Sequence, residues 1–177
     1  GLNDMAFGDF DGEGRTDVFK TTGSEWKVSY GGTSSWTHLN TSVVTLDHLA
    51  FGDFNGHGIT DVMQATDSLW QVSEGGSEPW STYNTSQAQL HDLRFGDFNG
   101  DGRTDAFTVV VGEWLVAEGL TSDWEHYNAS SYPMDQMRFG DFNGDGRTDI
   151  FRAVGGMWYV NEGASSAWIP YGTSGYE

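Results

Sequence analysis

Short segments in which large apolar residues alternate with polar ones recur along the whole chain, separated by clusters of glycine and small polar residues. In the first 44 residues these segments cover 5–10, 16–21, 25–30 and 36–40. Alternation with a period of two is typical of half-buried strands, and clusters of Gly, Ser and Thr favour turns. No segment keeps the i, i+3, i+4, i+7 apolar spacing of an amphipathic helix. The pattern therefore predicts an all-β protein.

The strand pattern is repeated at a fixed interval of 44 residues. The segment FGDFDGEGRTDVF begins at Phe7, and closely related segments begin at Phe51, Phe95 and Phe139. The four units are 1–44, 45–88, 89–132 and 133–177. Four short strands in a unit of about 40 to 50 residues are typical of a propeller blade.

We therefore predict one β-propeller domain over residues 1–177, built of four 44-residue, four-stranded blades. A four-stranded sheet with large aromatics on both faces needs a neighbour on each side. Two assemblies satisfy this requirement. Either the four blades close into a ring as a monomer, or two chains join as a homodimer with an eight-bladed ring.

The charge of the chain narrows the choice of partners. Eight Lys and Arg against 26 Asp and Glu give a net charge of −18. This surplus repels nucleic acid and anionic membrane surfaces, so neither is expected as a partner. No apolar run is long enough to insert in a membrane. The absence of cysteine excludes disulfides, zinc–thiolate sites and a cysteine nucleophile.

Much of the acidic surplus lies in one loop of each repeat, with the pattern D-x-[DN]-x-[DEH]-G-x-x-D. Oxygen ligands on alternate residues of a tight loop converge on one cation, and an all-oxygen set favours calcium. A backbone carbonyl two residues after the third side-chain ligand completes the set. The predicted ligands are Asp9, Asp11, Glu13, Arg15 and Asp17; Asp53, Asn55, His57, Ile59 and Asp61; Asp97, Asn99, Asp101, Arg103 and Asp105; and Asp141, Asn143, Asp145, Arg147 and Asp149.

The loops predict up to four Ca²⁺ ions, one in each blade, with the site of Asp53 and His57 the weakest. An EF-hand does not fit, because its twelfth position would be Lys20 and the flanking segments are strands. The alternative is that Asp, Asn and Gly cluster here only because turns favour them. Four copies in fixed phase favour the metal, and four Ca²⁺ would change the formal charge from −18 to about −10.

With these residues in view, FGDFNGDGRTD followed by a strand resembles the FG-GAP/VCBS-type repeat of calcium-binding β-propellers. Similar loops occur in integrin α-subunits, in bacterial secreted proteins and in fungal propeller lectins that bind GlcNAc and sialic acid. The resemblance covers all four units and implies a calcium-bearing propeller of a secreted, extracellular protein. Its lectin branch implies a glycan or polysaccharide partner that binds between adjacent blades.

The eight tryptophans form two series with the 44-residue spacing. Trp26 and its equivalents alternate with valine inside a strand, so they are expected in the core. The second series opens a strand beside a turn, where a ring can either stack on a sugar or pack between blades. Its candidate ligand-binding residues, with the neighbouring polar ones, are Trp36, Trp80, Trp124, Trp168, His38, His126, Asn40, Asn84 and Asn128.

Three functions fit these patterns. The first is multivalent carbohydrate binding by a calcium-stabilised propeller. The second is a non-catalytic structural or adhesion scaffold in which calcium only adds rigidity. The third is a polysaccharide lyase or hydrolase, but no nucleophile, histidine and acid are marked out as a catalytic set, so an enzyme is the least favoured.

Overall fold

The computed structural model describes residues 4–173, which form short strands joined by tight turns. Four antiparallel sheets follow one another along the chain, and in each sheet four strands pair in sequence order. Sheets of this kind are the blades of a β-propeller, so the predicted fold class is confirmed. The ends of the predicted domain, at residues 1 and 177, lie outside the described range.

The blade boundaries follow the repeats. Blade 1 contains β1 (Ala6–Gly8), β2 (Asp17–Thr21), β3 (Trp26–Ser29) and β4 (Thr37–Asn40); blade 2 contains β5 (Ala50–Gly52), β6 (Asp61–Thr66), β7 (Leu69–Ser73) and β8 (Ser81–Thr85). Blade 3 contains β9 (Arg94–Gly96), β10 (Asp105–Val110), β11 (Glu113–Ala117) and β12 (Glu125–Ala129). Blade 4 contains β13 (Arg138–Gly140), β14 (Asp149–Val154), β15 (Met157–Asn161) and β16 (Ile169–Thr173).

Short 3-10 turns connect the strands. One set joins the third and fourth strands of each blade, at Tyr30–Gly32, Glu74–Gly76, Glu118–Leu120 and Glu162–Ala164. A second set precedes the next blade, at Leu46–His48, Leu90–Asp92 and Met134–Gln136. In residues 4–173 no helix is long and apolar enough to cross a membrane.

The chain divides into two compact units, one ending at His91 and the other beginning at Asp92. Each unit contains two blades and its own aromatic core. In the first unit, Phe19 and Trp26 of blade 1 are fully buried and pack with Val62 of blade 2. We call the side of a blade that carries Phe19, Trp26 and Val28, or their equivalents, its front face. The side that carries Val62 and Trp80, or their equivalents, is its back face.

The second unit repeats this packing. Phe107 and Trp114 on the front face of blade 3 pack with Ile150 on the back face of blade 4. In each unit a front-face tryptophan meets a back-face tryptophan edge to face. The ring centroids are 5.5 Å apart for Trp26 and Trp80 and 5.6 Å apart for Trp114 and Trp168. A core of this kind forms only when one blade covers the next.

In each unit a backbone hydrogen bond near the acidic loops, which we call the backbone clasp, joins the two blades. The amide of Thr60 in blade 2 donates to the carbonyl of Asp9 in blade 1, at 2.6 Å. Thr148 and Asp97 form the same bond in the second unit. The close approach needs a glycine, because a Cβ on Gly8 would lie 2.6 Å from the Thr60 side chain. The glycine before the first Asp of the loop is therefore a junction residue.

Candidate acidic loops and blade junctions

The first Asp of each loop holds the loop in its turn. In blade 1, the amides of Gly12 and Gly14 donate to the Asp9 carboxylate at 2.8 and 2.7 Å. Both glycines have positive φ, of 75° and 81°, which other residues rarely adopt. Asp53, Asp97 and Asp141 accept the same pair of bonds in their own loops. Local chemistry alone thus explains the glycine spacing.

The last Asp of each loop ties the loop to the turn between the third and fourth strands. Asp17 is fully buried and accepts one bond from the Phe10 amide at 2.8 Å and another from the Gly31 amide at 2.7 Å. Antiparallel pairing places that turn at the same edge of the blade as the acidic loop. Asp61, Asp105 and Asp149 make the equivalent two bonds.

The ligand pattern predicts this Asp as a metal ligand and does not reveal its role as a cross-link within the blade. The signal was present, because a glycine follows each of these aspartates after 14 residues, as Gly119 follows Asp105. Burial raises the pKa of Asp105 to about 6 despite its two backbone bonds, and it also raises the pKa of Asp61. These carboxylates therefore lie in sites where a nearby positive charge would be favourable.

The loop of blade 1 brings three carboxylates together. Ligand oxygens of Asp9, Asp11 and Asp17 all lie within 4.8 Å of one another, a spacing that suits ligands of one cation. The pKa of Asp11 is raised by desolvation and by the charges of Glu13 and Asp17. The carboxylates repel one another, so the loop fits a hard divalent cation such as calcium.

In three of the loops the third predicted side-chain ligand pairs with the arginine two residues later. Glu13 pairs with Arg15, while Asp101 and Asp145 lie 2.7 and 3.0 Å from the guanidinium groups of their arginines. Burial raises the pKa of Asp101, but the hydrogen bonds from Arg103 outweigh this and lower it. The ligand pattern predicts only the backbone carbonyl of this arginine as a ligand, but its side chain neutralises the third acid.

The loop of blade 2 differs in charge, as its sequence predicts. The His57 amide donates to Asp53 and to Asn55, at 3.1 and 3.0 Å. Ile59 stands where the other loops have arginine, and it contacts Gly75 of its own blade. This loop therefore has neither the third acid nor the arginine that pairs with it.

The second tryptophan series lies partly between blades. Trp80 and Trp168 are half-buried against the core tryptophans, whereas Trp36 is exposed and has the Lys20 ammonium 3.9 Å from its ring centre. Trp124 is also half-buried. Packing thus accounts for much of the ring surface of Trp80 and Trp168. Their predicted role in sugar stacking stays a prediction.

The predicted polar ligand residues are in two kinds of environment. The amide groups of Asn40 and Asn128 donate across the junction to the carbonyls of Gly76 and Ser166, at 3.0 and 2.7 Å. The Asn84 carbonyl accepts from the Thr85 amide. The two histidines are exposed, with His38 beside Thr41 and His126 beside Glu113. Asn40 and Asn128 therefore join blades, and the two histidines are accessible.

A cavity of about 340 Å³ opens at the junction of blades 1 and 2. Val43, Val44 and Ala65 supply apolar walls. The polar lining residues are Thr45, His48, Gln64 and Thr66. A second cavity of about 250 Å³ has His48 and Ala65 in its lining as well. We call the first cavity, of about 340 Å³, the groove.

The equivalent place in the second unit is filled. Tyr132 and Arg152 stand 88 residues after Val44 and Gln64. The Arg152 guanidinium is stacked 3.6 Å from the Tyr132 ring centre and 4.3 Å from that of Trp168. Its Nε and Nη1 atoms are buried without a hydrogen-bond partner. The two junctions therefore share a backbone design but differ in the side chains that occupy this place.

Comparison with known proteins supports the fold. No protein-family model matches the chain, and neither does any curated protein. Among solved structures, the chain is similar to the *Photorhabdus luminescens* Tc holotoxin pore, with a TM-score of 0.64 and 15% identity over 94% of this chain and 9% of that one. It is also similar to an *Agrocybe aegerita* lectin that recognises non-reducing terminal N-acetylglucosamine. That match has a TM-score of 0.63 and 14% identity, and it covers 92% of this chain and 50% of the lectin.

Proposed function

We propose that this protein is a carbohydrate-binding propeller module that holds a sugar at the junction between adjacent blades. The observation that carries the proposal is the groove at the junction of blades 1 and 2. Ligand sites are typically concave, mostly apolar and of about 300–1,000 Å³, with a few placed polar groups. The 340 Å³ cavity meets this description.

The lining of the groove matches the chemistry of a sugar. An acetamido methyl group and the C–H face of a pyranose ring are apolar and suit Val43, Val44 and Ala65. Hydroxyl groups need partners that both donate and accept, and Thr45 and Gln64 provide them. The *Agrocybe aegerita* lectin recognises terminal N-acetylglucosamine, so this sugar is the first candidate.

Calcium is the second part of the proposal. The Asp9, Asp11 and Asp17 cluster would hold the ion, with the other three loops as further sites. Bound calcium would replace the arginine as the partner of the third acid and would reduce repulsion in the loop. Its contribution is to fix the loops beside the junctions, and no chemical step is assigned to it.

A single sugar site should be weak, and repetition should compensate. Stacking and a few hydrogen bonds give dissociation constants near the millimolar range, or about −4 kcal/mol. Several copies of the chain presented together, each with its own groove, turn the second contact with a glycan surface into an intramolecular event, and avidity can rise by about 10² or more. Binding should therefore be clearer on polysaccharide surfaces than with free monosaccharide. An extracellular location accords with such a partner.

A structural or adhesion scaffold is the second candidate function. It is favoured by the aspartates that cross-link each blade and by Asn40 and Asn128, which join blades, since both features add rigidity. A glycan array with and without EDTA separates the two. Discrete hits support carbohydrate binding, whereas a blank array together with high calcium-dependent stability supports the scaffold.

Larger side chains that fill the groove should weaken carbohydrate binding there. The double variant Val44→Tyr/Gln64→Arg copies the pair that occupies the second unit, so the fold is known to accept it. We expect at least a tenfold loss of affinity for N-acetylglucosamine at this site, equivalent to about 1.4 kcal/mol. Titration calorimetry measures the loss.

The matched control is Val111→Ser, which changes a 98% exposed valine outside the groove. It should bind like the unaltered protein. Unchanged binding in the filled variant, with its melting temperature preserved, would mean that the groove is not the carbohydrate site.

A further inference from the structure

Two blade faces expose large apolar side chains. On the front face of blade 4, Trp158 is 40% exposed and Phe142 is 39% exposed. On the back face of blade 1, Phe7 is 55% exposed and Trp36 is 39% exposed. The equivalents of Trp158 in the other three blades are fully buried, so the expectation that its whole series lies in the core is wrong at this position. Exposed aromatics that neighbour one another on a folded chain indicate an interaction site.

Each exposed face is one half of a junction that the chain already forms twice. Inside both units, a front-face tryptophan packs edge to face on a back-face tryptophan of the next blade. Trp158 has the position of the first partner in the repeat and Trp36 has that of the second. The two faces are therefore complementary by the same packing that joins blade 3 to blade 4.

The glycine and the threonine that meet at the backbone clasp are also found, without each other, on these two exposed faces. Gly8 and Gly96 are each approached by a threonine of the following blade. If a Cβ were added to Gly140, its nearest atoms would be those of Phe142 in the same blade, so no described threonine approaches this glycine. Thr16, the equivalent of the approaching threonines, is exposed, whereas Thr60 and Thr148 are half-buried.

A third contact between neighbouring blades, made by the acidic loops, is also missing at these two faces of the described chain. Ile59 and Arg147 each pack on the first glycine of the preceding blade's loop, as Arg147 does on Gly100. Around Gly144 of blade 4, no described atom lies within 4 Å of an added Cβ. The Arg15 side chain of blade 1 is 66% exposed. Loop, clasp and tryptophan contacts thus all stop at the same two faces.

Charge also favours a partner like this chain itself. Both lysines of the protein, Lys20 and Lys27, lie on paired strands on the back face of blade 1. The rest of the chain is strongly acidic, with a net charge of −18 overall. A second copy carries the same acidic surplus, so its overall charge is attracted to the one lysine-bearing face.

From these complementary tryptophan, clasp and loop contacts we infer that the front face of blade 4 binds the back face of blade 1 of a second copy. Two copies then form two identical junctions and together an eight-bladed propeller. A head-to-tail contact of this kind either closes into a ring or continues into a filament, and closure with two copies leaves neither tryptophan face exposed. The inference does not depend on carbohydrate binding.

Gly140→Val tests the inference. Gly140 lies in β13 without a positive φ, and its nearest neighbour is 3.7 Å from an added Cβ, so valine should leave the chain folded. It should block the threonine of the second copy, because a Cβ at the equivalent Gly96 would lie 2.5 Å from Thr148. Light scattering should give twice 19.5 kDa for the unaltered chain and 19.5 kDa for the variant.

Phe7→Glu, on the opposite face, should also give the monomer mass, and Val111→Glu, outside both faces, should keep the dimer. An unaltered chain that stays at 19.5 kDa at high micromolar concentration overturns the inference. So does a dimer that persists in both Gly140→Val and Phe7→Glu. A spread of larger masses would show open-ended assembly and would also overturn the two-copy ring.

Discussion

Removing calcium should lower the melting temperature by about 10 °C or more. A ligand that binds only the folded state at a hundredfold its Kd adds about 2.7 kcal/mol at each site. For a chain of this size, each kcal/mol changes the melting temperature by about 2–4 °C. The effect is expected because Asp9, Asp11 and Asp17 converge only in the folded loop, where they repel one another without a cation. Calorimetry with and without EDTA measures it.

The control replaces calcium with magnesium at equal ionic strength. Magnesium demands a tighter octahedral geometry, so it should restore less of the stability. As calcium is lowered, the blade with His57 should lose its ion first, since its loop offers fewer acids. An unchanged melting curve after elemental analysis has shown the metal to be gone would falsify the calcium hypothesis.

The strands and blades could be predicted because their signal is local and repeated four times. Alternation around Trp26 and Val28 identifies a strand, and recurrence after 44 residues identifies the blade. The predicted strand at 25–30 contains the observed Trp26–Ser29. The predicted ends were longer than the observed ones, because turn residues such as Tyr30 belong to a 3-10 turn with the glycines that follow.

The contents of the junctions could not be predicted in the same way. Periodicity treats Val44 and Tyr132 as equivalent, and likewise Gln64 and Arg152. Whether such pairs leave a cavity or fill it depends on side-chain volume and stacking across two blades. The two junctions also differ in one hydrogen bond, because Trp26 donates its indole N–H to the Val44 carbonyl at 2.9 Å, whereas the buried Trp114 indole nitrogen has no partner.

The acidic loops illustrate a different limit. A ligand pattern and a structural cross-link both require an aspartate at the same position, and the loop sequence alone does not separate them. The separation comes from Gly31, 14 residues away, whose amide bonds to Asp17. Asp17 can serve both roles, because each carboxylate oxygen has two lone pairs. The two roles predict different results when metal is absent.

Asp105→Ala should destabilise the protein by about 2–4 kcal/mol even in EDTA. The substitution leaves the buried amides of Phe98 and Gly119 without an acceptor, and each buried donor without a partner costs about 1–3 kcal/mol. Removing a poorly solvated carboxylate, whose pKa burial raises to about 6, offsets part of this cost.

Urea unfolding in EDTA measures the loss in Asp105→Ala, and Asp105→Asn should lose about half as much, because its one oxygen still accepts a bond. Asp101→Ala in the same loop is the matched control. Its carboxylate is partly exposed and pairs with Arg103 at the surface, so without metal it should lose less than about 1 kcal/mol. If Asp105→Ala and Asp101→Ala were as stable as the unaltered chain in EDTA and both lost stability only relative to the calcium-bound protein, Asp105 would be a metal ligand alone. A large loss of stability in EDTA for Asp105→Ala, but not for Asp101→Ala, would have a different meaning. It would show that the link from the acidic loop to the turn between the third and fourth strands holds the blade edge together before any ion binds.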